Sequence, residues 1–138
     1  MGNKVSISYP AFYQSELHNT IIDSHFSERE REGRLLVFLA RFKQEQNRST
    51  VLGVGLDEGA AIVISEGQFE IFAPMGKHVW IYEVSGTISL TSGNPLNLAN
   101  IFRVKLSDQT QGIWPIQIQS MDYEELVVID GSVSIKQD

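Results

Sequence analysis

The residues best suited to chemistry form one short stretch, Asp23-Ser24-His25-Phe26, followed by arginines at Arg29, Arg31 and Arg34. Histidine is the side chain that most readily exchanges a proton near neutral pH. Guanidinium groups can bind a carboxylate through two parallel hydrogen bonds. The stretch therefore places a titratable histidine close to candidate anion-binding groups.

The arginines occupy an unusual position, because a Ser-x-x-Glu pair at Ser27 and Glu30 predicts that a helix starts there. The N-terminus of a helix already carries a partial positive charge, which disfavours cations. Two interpretations remain open. Either the neighbouring glutamates neutralise the arginines on a solvated face, or the arginines face an anionic partner.

His25 itself has three interpretations. It can be a proton-transfer group, a hydrogen-bonded structural histidine, or part of a metal set with His18 and Asp23, although no second ligand cluster accompanies that set. Ser24 adjoins the histidine in sequence, but adjacent side chains of an extended segment point to opposite faces.

Composition excludes several classes of protein. The chain has 138 residues, which is one domain's worth, and its net charge of −6 does not favour a nucleic-acid or anionic-membrane partner. No apolar run approaches the roughly 20 residues of a membrane span. The chain has no cysteine, which excludes disulfides and cysteine-rich zinc sites but leaves the compartment undetermined. It starts without an apolar signal-peptide core, so the localisation is unknown, and we expect it to be cytoplasmic if the chain is complete.

Hydrophobic patterning predicts one long helix among many short strands. The helix is expected from Glu28 to about Gln46, with Leu35, Phe38, Leu39 and Phe42 on its apolar face. Strands are predicted over residues 5–9, 20–23, 51–56, 60–65, 68–72, 79–84 and 101–106, with two or three more over 113–135. Turns are expected at Glu66-Gly67 and Asp130-Gly131.

The order strand, helix, strand predicts a parallel crossover, in which 51–56 is buried on both faces. The glycines at 53 and 55 indicate the close approach of another backbone or of a neighbouring loop. One such unit cannot cover both faces of a parallel sheet. We therefore expect an uncovered apolar face, and a missing part of the domain ahead of residue 1.

Two motifs resemble the cyanophycinase-like serine peptidases, whose pattern is Asp-x-His-Phe-x-x-Arg-x-Arg-x-x-Arg-Leu followed by Gly-x-Gly-x-Asp-Glu. Residues 23–35 and 53–58 fill every position of that pattern. The resemblance covers about residues 15–106. It implies an α/β fold, namely part of a three-layer domain like the class I glutamine amidotransferases (flavodoxin-like). Residues 1–106 would form that part, and 107–138 would form a β-rich tail.

The resemblance also implies roles for individual residues. His25 would be the general base of a serine peptidase, with Asp23 and Glu58 as further catalytic-site groups, although Glu58 can also simply cap a turn. The substrate-binding residues would be Arg29, Arg31, Arg34 and Ser24. Acidic peptide substrates would fit, as in cyanophycin, an aspartate-backbone polymer that bears arginines, and no cofactor would be needed.

One essential element of that family has no counterpart in these residues. The nucleophilic serine of such enzymes lies in a Gly-x-Ser-x-Gly elbow, and this sequence contains none. We therefore expect a C-terminal part that is inactive alone and that forms a homo-oligomer or a complex with a segment carrying the nucleophile. A non-catalytic binding module and a metal-dependent hydrolase remain as alternatives.

Overall fold

The computed structural model describes residues 19–27, 31–86, 88 and 93–137, and shows a mixed α/β fold in which strands predominate. The predicted strand at 5–9 lies outside these residues. Within the described part there are nine strands and one α-helix. They are β1 (Thr20–Ser24), α1 (Glu32–Glu45), β2 (Thr50–Leu56), β3 (Ala61–Ser65), β4 (Gln68–Phe72), β5 (Val79–Ser85), β6 (Leu98–Leu106), β7 (Gln111–Ile113), β8 (Glu124–Ile129) and β9 (Ser132–Ile135).

The strands form two sheets. The larger has the order β1-β2-β5-β6-β8-β9, and the smaller has the order β3-β4-β7. The pair β1–β2 is parallel, as the strand–helix–strand pattern predicted, and every other pair is antiparallel. Because β7 pairs with β4 and β8 pairs with β6, the segment 107–138 contributes strands to both sheets.

Helix α1 covers one face of the larger sheet. Leu35, Leu36 and Leu39 are fully buried there, against Val51 of β2 and Tyr82 of β5. Burying a leucine side chain contributes about 1.5–3 kcal/mol each, so this face holds the helix in place.

The opposite face of the larger sheet is covered by the smaller sheet and by the segment 114–118. Val54 and Ile81 pack there against Ile71, Trp114 and Ile118, and all five are buried. The expectation of an uncovered apolar face is therefore wrong. The strands after β2, which make hairpins rather than further crossovers, provide the second layer.

The glycines of β2 mark two close approaches. A Cβ atom at Gly53 would lie 2.6 Å from a methyl group of Leu39, and one at Gly55 would lie 2.4 Å from the ring of Phe26. The predicted close approach of a loop is confirmed at Gly55, since Phe26 lies in the segment after β1. At Gly53 the neighbours are instead leucine side chains of α1.

The helix differs from its prediction at its start and along its buried face. It begins at Glu32 rather than Glu28, and no side chain caps its first turn. The Ser27 hydroxyl instead donates a hydrogen bond to Asp57, so it is not the expected cap. Phe38 is 41% exposed, because the buried face turns toward Leu36 and Ala40.

Both predicted tight turns are confirmed. Glu66 and Gly67 have φ angles of 54° and 76°, and Asp130 and Gly131 have 49° and 83°. Positive φ at both central residues suits the twist of a two-residue hairpin. Among the described residues, no helix is long and apolar enough to cross a membrane.

Candidate functional site

The parallel pairing of β1 and β2 brings the two sequence motifs to one edge of the sheet. Asp23 lies opposite Gly55, and Ser24 lies opposite Leu56. His25 follows directly after β1, and Asp57 and Glu58 follow directly after β2. In α/β sheets, ligands bind outside the carboxyl ends of parallel strands. This edge, which we call the carboxyl edge, is therefore the candidate site.

His25 has a φ of +50°, a left-handed conformation that non-glycine residues rarely adopt. The backbone N–H of Phe26 donates to the carbonyl of Leu56 over 2.9 Å, which holds the chain just after this turn. Holding a non-glycine residue in this region costs about 1–3 kcal/mol, and such residues cluster at functional sites. The imidazole is partly exposed at the carboxyl edge.

Asp23 is a buried carboxylate, 5% exposed, that binds two of the three motif arginines. Its Oδ1 atom accepts hydrogen bonds from Arg31 over 3.0 Å and from Arg34 over 3.4 Å. Its Oδ2 atom is buried and has no hydrogen-bond partner. The hydrogen-bonded oxygen of Asp23 therefore contacts arginines rather than His25. The third motif arginine, Arg29, lies outside the described residues.

Asp57 makes most of the side-chain hydrogen bonds described at the carboxyl edge, although the resemblance implied a catalytic-site role for the next residue, Glu58. It is 2% exposed, whereas Glu58 is exposed. Its Oδ1 atom accepts hydrogen bonds from the backbone and the hydroxyl of Ser27. Its Oδ2 atom accepts from the backbone of His78 over 2.8 Å and from the indole of Trp80 over 3.4 Å. The sequence offered one sign of this residue, namely that Asp57 and Glu58 together end the Gly-x-Gly-x-Asp-Glu motif.

Two opposing effects act on the pKa of Asp57. Burial raises it, but the hydrogen bonds from Ser27, His78 and Trp80 outweigh burial, so the pKa lies below the ordinary value of 3.8. Asp57 is therefore a weak base at neutral pH. It holds the Ser27 hydroxyl in place without activating it as a nucleophile.

A cleft of about 410 Å³ lies next to Ser27, the partner of Asp57, between the start of α1 and strands β5 and β6. Its walls are aromatic and charged. The lining residues are Phe26, Ser27, Arg31, Glu32, Gly33, Trp80, Tyr82 and Arg103.

Glu32 fixes the shape of this cleft. Its Oε2 atom accepts a hydrogen bond from the Tyr82 hydroxyl and another, over 2.6 Å, from Arg103. Arg103 also pairs with Glu124 of β8. Burial, followed by the charge and hydrogen bond of Glu32, raises the pKa of Tyr82 far above its usual value of 10.0.

Trp80 forms the aromatic floor of the cleft. The guanidinium carbon of Arg103 and the Nζ atom of Lys105 each lie 5.5 Å from its ring centroid, within the range of cation–π attraction. Phe26 packs against it with ring centroids 6.4 Å apart. Cationic side chains and the carboxylate of Glu32 thus surround an aromatic surface.

The expected site residues are only partly brought together. Asp23, Arg31 and Arg34 form one cluster, and His25 and Glu58 lie at the same edge of the sheet.

His18, which the metal interpretation needs, lies outside the described residues. Within the described ranges, no group of three or more His, Asp or Glu side chains is placed to hold a metal ion.

No family model, curated protein or solved structure matches the chain.

Proposed function

We propose that this chain is the C-terminal part of a cyanophycinase-like serine-type peptidase, with His25 as the general base for a serine on another segment. The observation that supports this most is the meeting of the two motifs at the carboxyl edge. A parallel strand pair is rigid, and a base held at its end keeps a fixed position. In this proposal His25 removes the serine proton and returns it to the leaving amine.

The substrate class in this proposal is a peptide with acidic residues. Arg34 is the better placed of the two described arginines to bind it, since its side chain is 50% exposed, against 17% for Arg31. Arg31 serves chiefly to hold Asp23 at the edge of the site. The finer fold assignment, a part of a glutamine amidotransferase-like domain, belongs to the same proposal.

An oligomer or a complex with the nucleophile-bearing segment also belongs to this proposal. Val63, Phe72 and Ile113 are 51%, 45% and 66% exposed on the smaller sheet. Exposed apolar side chains on one surface favour association. Light scattering over a range of concentrations tests this point, and a monomer at every concentration would contradict it.

Labelling of the isolated chain with a fluorophosphonate probe tests the assignment of the nucleophile. We expect no serine adduct, because Ser27 is bonded to a weak base and no elbow sequence is present. A stoichiometric adduct on Ser24 or Ser27 would show that the chain carries its own nucleophile. The coding sequence upstream of Met1 provides the complementary test, since we expect a Gly-x-Ser-x-Gly elbow there or in a separate gene.

A second function, a non-catalytic binding module, is favoured by the cleft over Trp80. Its cations and aromatic floor can bind a ligand without any nucleophile. Tryptophan fluorescence during titration with acidic peptides, alongside an assay for their cleavage, distinguishes the two functions. Binding without turnover in every assembly that contains this chain would favour the module.

A further inference from the structure

A second cleft, of about 550 Å³, lies on the other side of the larger sheet, at the opposite end of the strands from His25. Asn19 and Thr50 form its wall at the start of β1 and β2. Glu83 of β5 and the segment 115–120 form the rest. We call this cleft the acceptor cleft, for the chemistry of its lining.

Glu83 is unusual in its position. It lies opposite Leu52 on one side and Phe102 on the other, in the two central strand pairings of the larger sheet. Its neighbours along β5 on the same face, Ile81 and Val79, are fully buried. The carboxylate of Glu83 forms no ion pair or hydrogen bond with another described residue. The side chain is partly exposed, and its carboxylate has no Lys or Arg beside it among the described residues that line the cleft.

Asn19, which also lines the cleft, has a buried side-chain acceptor without a partner. Its Oδ1 atom is buried and receives no hydrogen bond. Leaving such an atom unsatisfied is unfavourable, and native proteins nearly always supply a donor. Asn19 also has a φ of +66°, so its backbone is held in a conformation that a regular strand would not adopt.

The remaining lining residues indicate what the uncharged part of a ligand would contact. Leu52, Ile116 and Ile118 provide an apolar wall, and Gln117, Gln119 and Ser120 provide neutral polar groups. No Lys or Arg is among the described residues that line the cleft. The cleft therefore combines an apolar wall with the carboxylate of Glu83, which has no cation beside it among the described lining residues.

We propose that the acceptor cleft binds an alkyl chain that ends in an ammonium or guanidinium group, with Glu83 as the counter-ion. The chain packs on Leu52 and Ile118. Such a group occurs on free amines and on lysine or arginine side chains of peptides. This site is independent of the proposed peptidase function, since His25 and Asp57 lie at the other end of the strands.

Calorimetric titration with three ligands of equal chain length tests the charge requirement. We expect pentylammonium to bind roughly tenfold or more tightly than pentanol or pentanoate, because the bond to Glu83 is charge-assisted. Pentylammonium and a blocked lysine peptide, which both end in an ammonium group, then distinguish the two sources of the cation. Tighter binding of pentylammonium assigns a free amine, and tighter binding of the peptide assigns a side chain.

The variant Glu83→Gln tests the counter-ion. It keeps the shape of the side chain, and we expect pentylammonium to bind it roughly tenfold or more weakly. Glu45→Gln, at the exposed end of α1, is the matched control and should bind as the parent does. Amide NMR spectra verify that both variants are folded and locate the ligand at the side-chain amides of Asn19, Gln117 and Gln119. Equal affinity for pentanol, unchanged binding by Glu83→Gln, or shifts elsewhere in the protein would overturn the proposal.

Discussion

Ser27 and Asp57 join the segment that follows β1 to the segment that follows β2, through two hydrogen bonds to one carboxylate oxygen. The other oxygen of Asp57 holds the start of β5, through His78 and Trp80. One buried carboxylate therefore fixes three segments at the carboxyl edge, and the position of His25 depends on it.

Asp57→Asn should destabilise the protein by about 1–3 kcal/mol, because charge-assisted hydrogen bonds become neutral ones. The pKa of Asp57 is lowered in the folded state, so its contribution is present above the unfolded value of 3.8 and is lost as pH falls through the folded pKa. Urea denaturation from pH 7 to pH 3 measures both effects. Asp130→Asn, in an exposed turn, is the control. An acid-dependent loss of stability in Asp57→Asn that equals the parent's would contradict this role.

Gly55→Ala should destabilise the protein by about 1–3 kcal/mol, since the added methyl group meets the Phe26 ring and the core must shift. Gly33→Ala provides a matched comparison within α1, where a Cβ atom meets nothing within 4 Å. That change should stabilise the protein by about 0.5–1 kcal/mol. Thermal melting of the two variants measures the difference, and equal effects would show that the packing of Phe26 is not as described.

Arg31→Ala should destabilise the chain by about 2 kcal/mol, because Asp23 loses its shorter hydrogen bond while buried. Arg34→Ala should cost below about 1 kcal/mol, since that side chain is half exposed. A double-mutant cycle with Asp23→Asn isolates the pair. If Arg31→Ala is equally damaging in the Asp23→Asn background, the ion pair is not the cause.

Tyr82→Phe tests the charge network of the cleft at high pH. The pKa of Tyr82 is raised by burial and by Glu32, so its contribution is present below the unfolded value of 10.0 and is lost as pH rises toward the folded pKa. We expect stability above about pH 10 to fall less steeply in Tyr82→Phe than in the parent. Tyr123→Phe is the control for a more exposed tyrosine. An identical alkaline loss in parent and Tyr82→Phe would contradict the assignment.

Within the described residues, the sequence was sufficient to predict most strands and the presence of the helix, because alternating and continuous apolar runs reflect burial; it did not predict where the helix starts. The turns at Glu66-Gly67 and Asp130-Gly131, and the two-sided burial of 51–56, follow from such local rules. The cover of the second face could not be predicted, since it depends on pairing between β4 and β7, some 40 residues apart in the chain.

Only those residues of the candidate site that belong to the two motifs, 23–35 and 53–58, could be predicted from the sequence. The motif residues identified the carboxyl edge but not the roles of individual carboxylates, because Asp57 and Glu58 differ in burial rather than in chemistry. Tyr82, Trp80 and Arg103 carry no motif. They reach the cleft through the register of β5 and β6, which pairs Tyr82 with Arg103 and Trp80 with Lys105.

We proposed that His25 is the general base of a serine peptidase, and the turnover of the His25→Ala variant tests that role most directly. The measurement uses the assembly that contains the nucleophile, either a longer form of the chain or two complementing pieces. Turnover of an acidic peptide should fall about 10³-fold or more while KM changes little, because the base is lost and the binding groups remain. A folded His25→Ala assembly that cleaves the peptide near the parent rate would contradict the assignment.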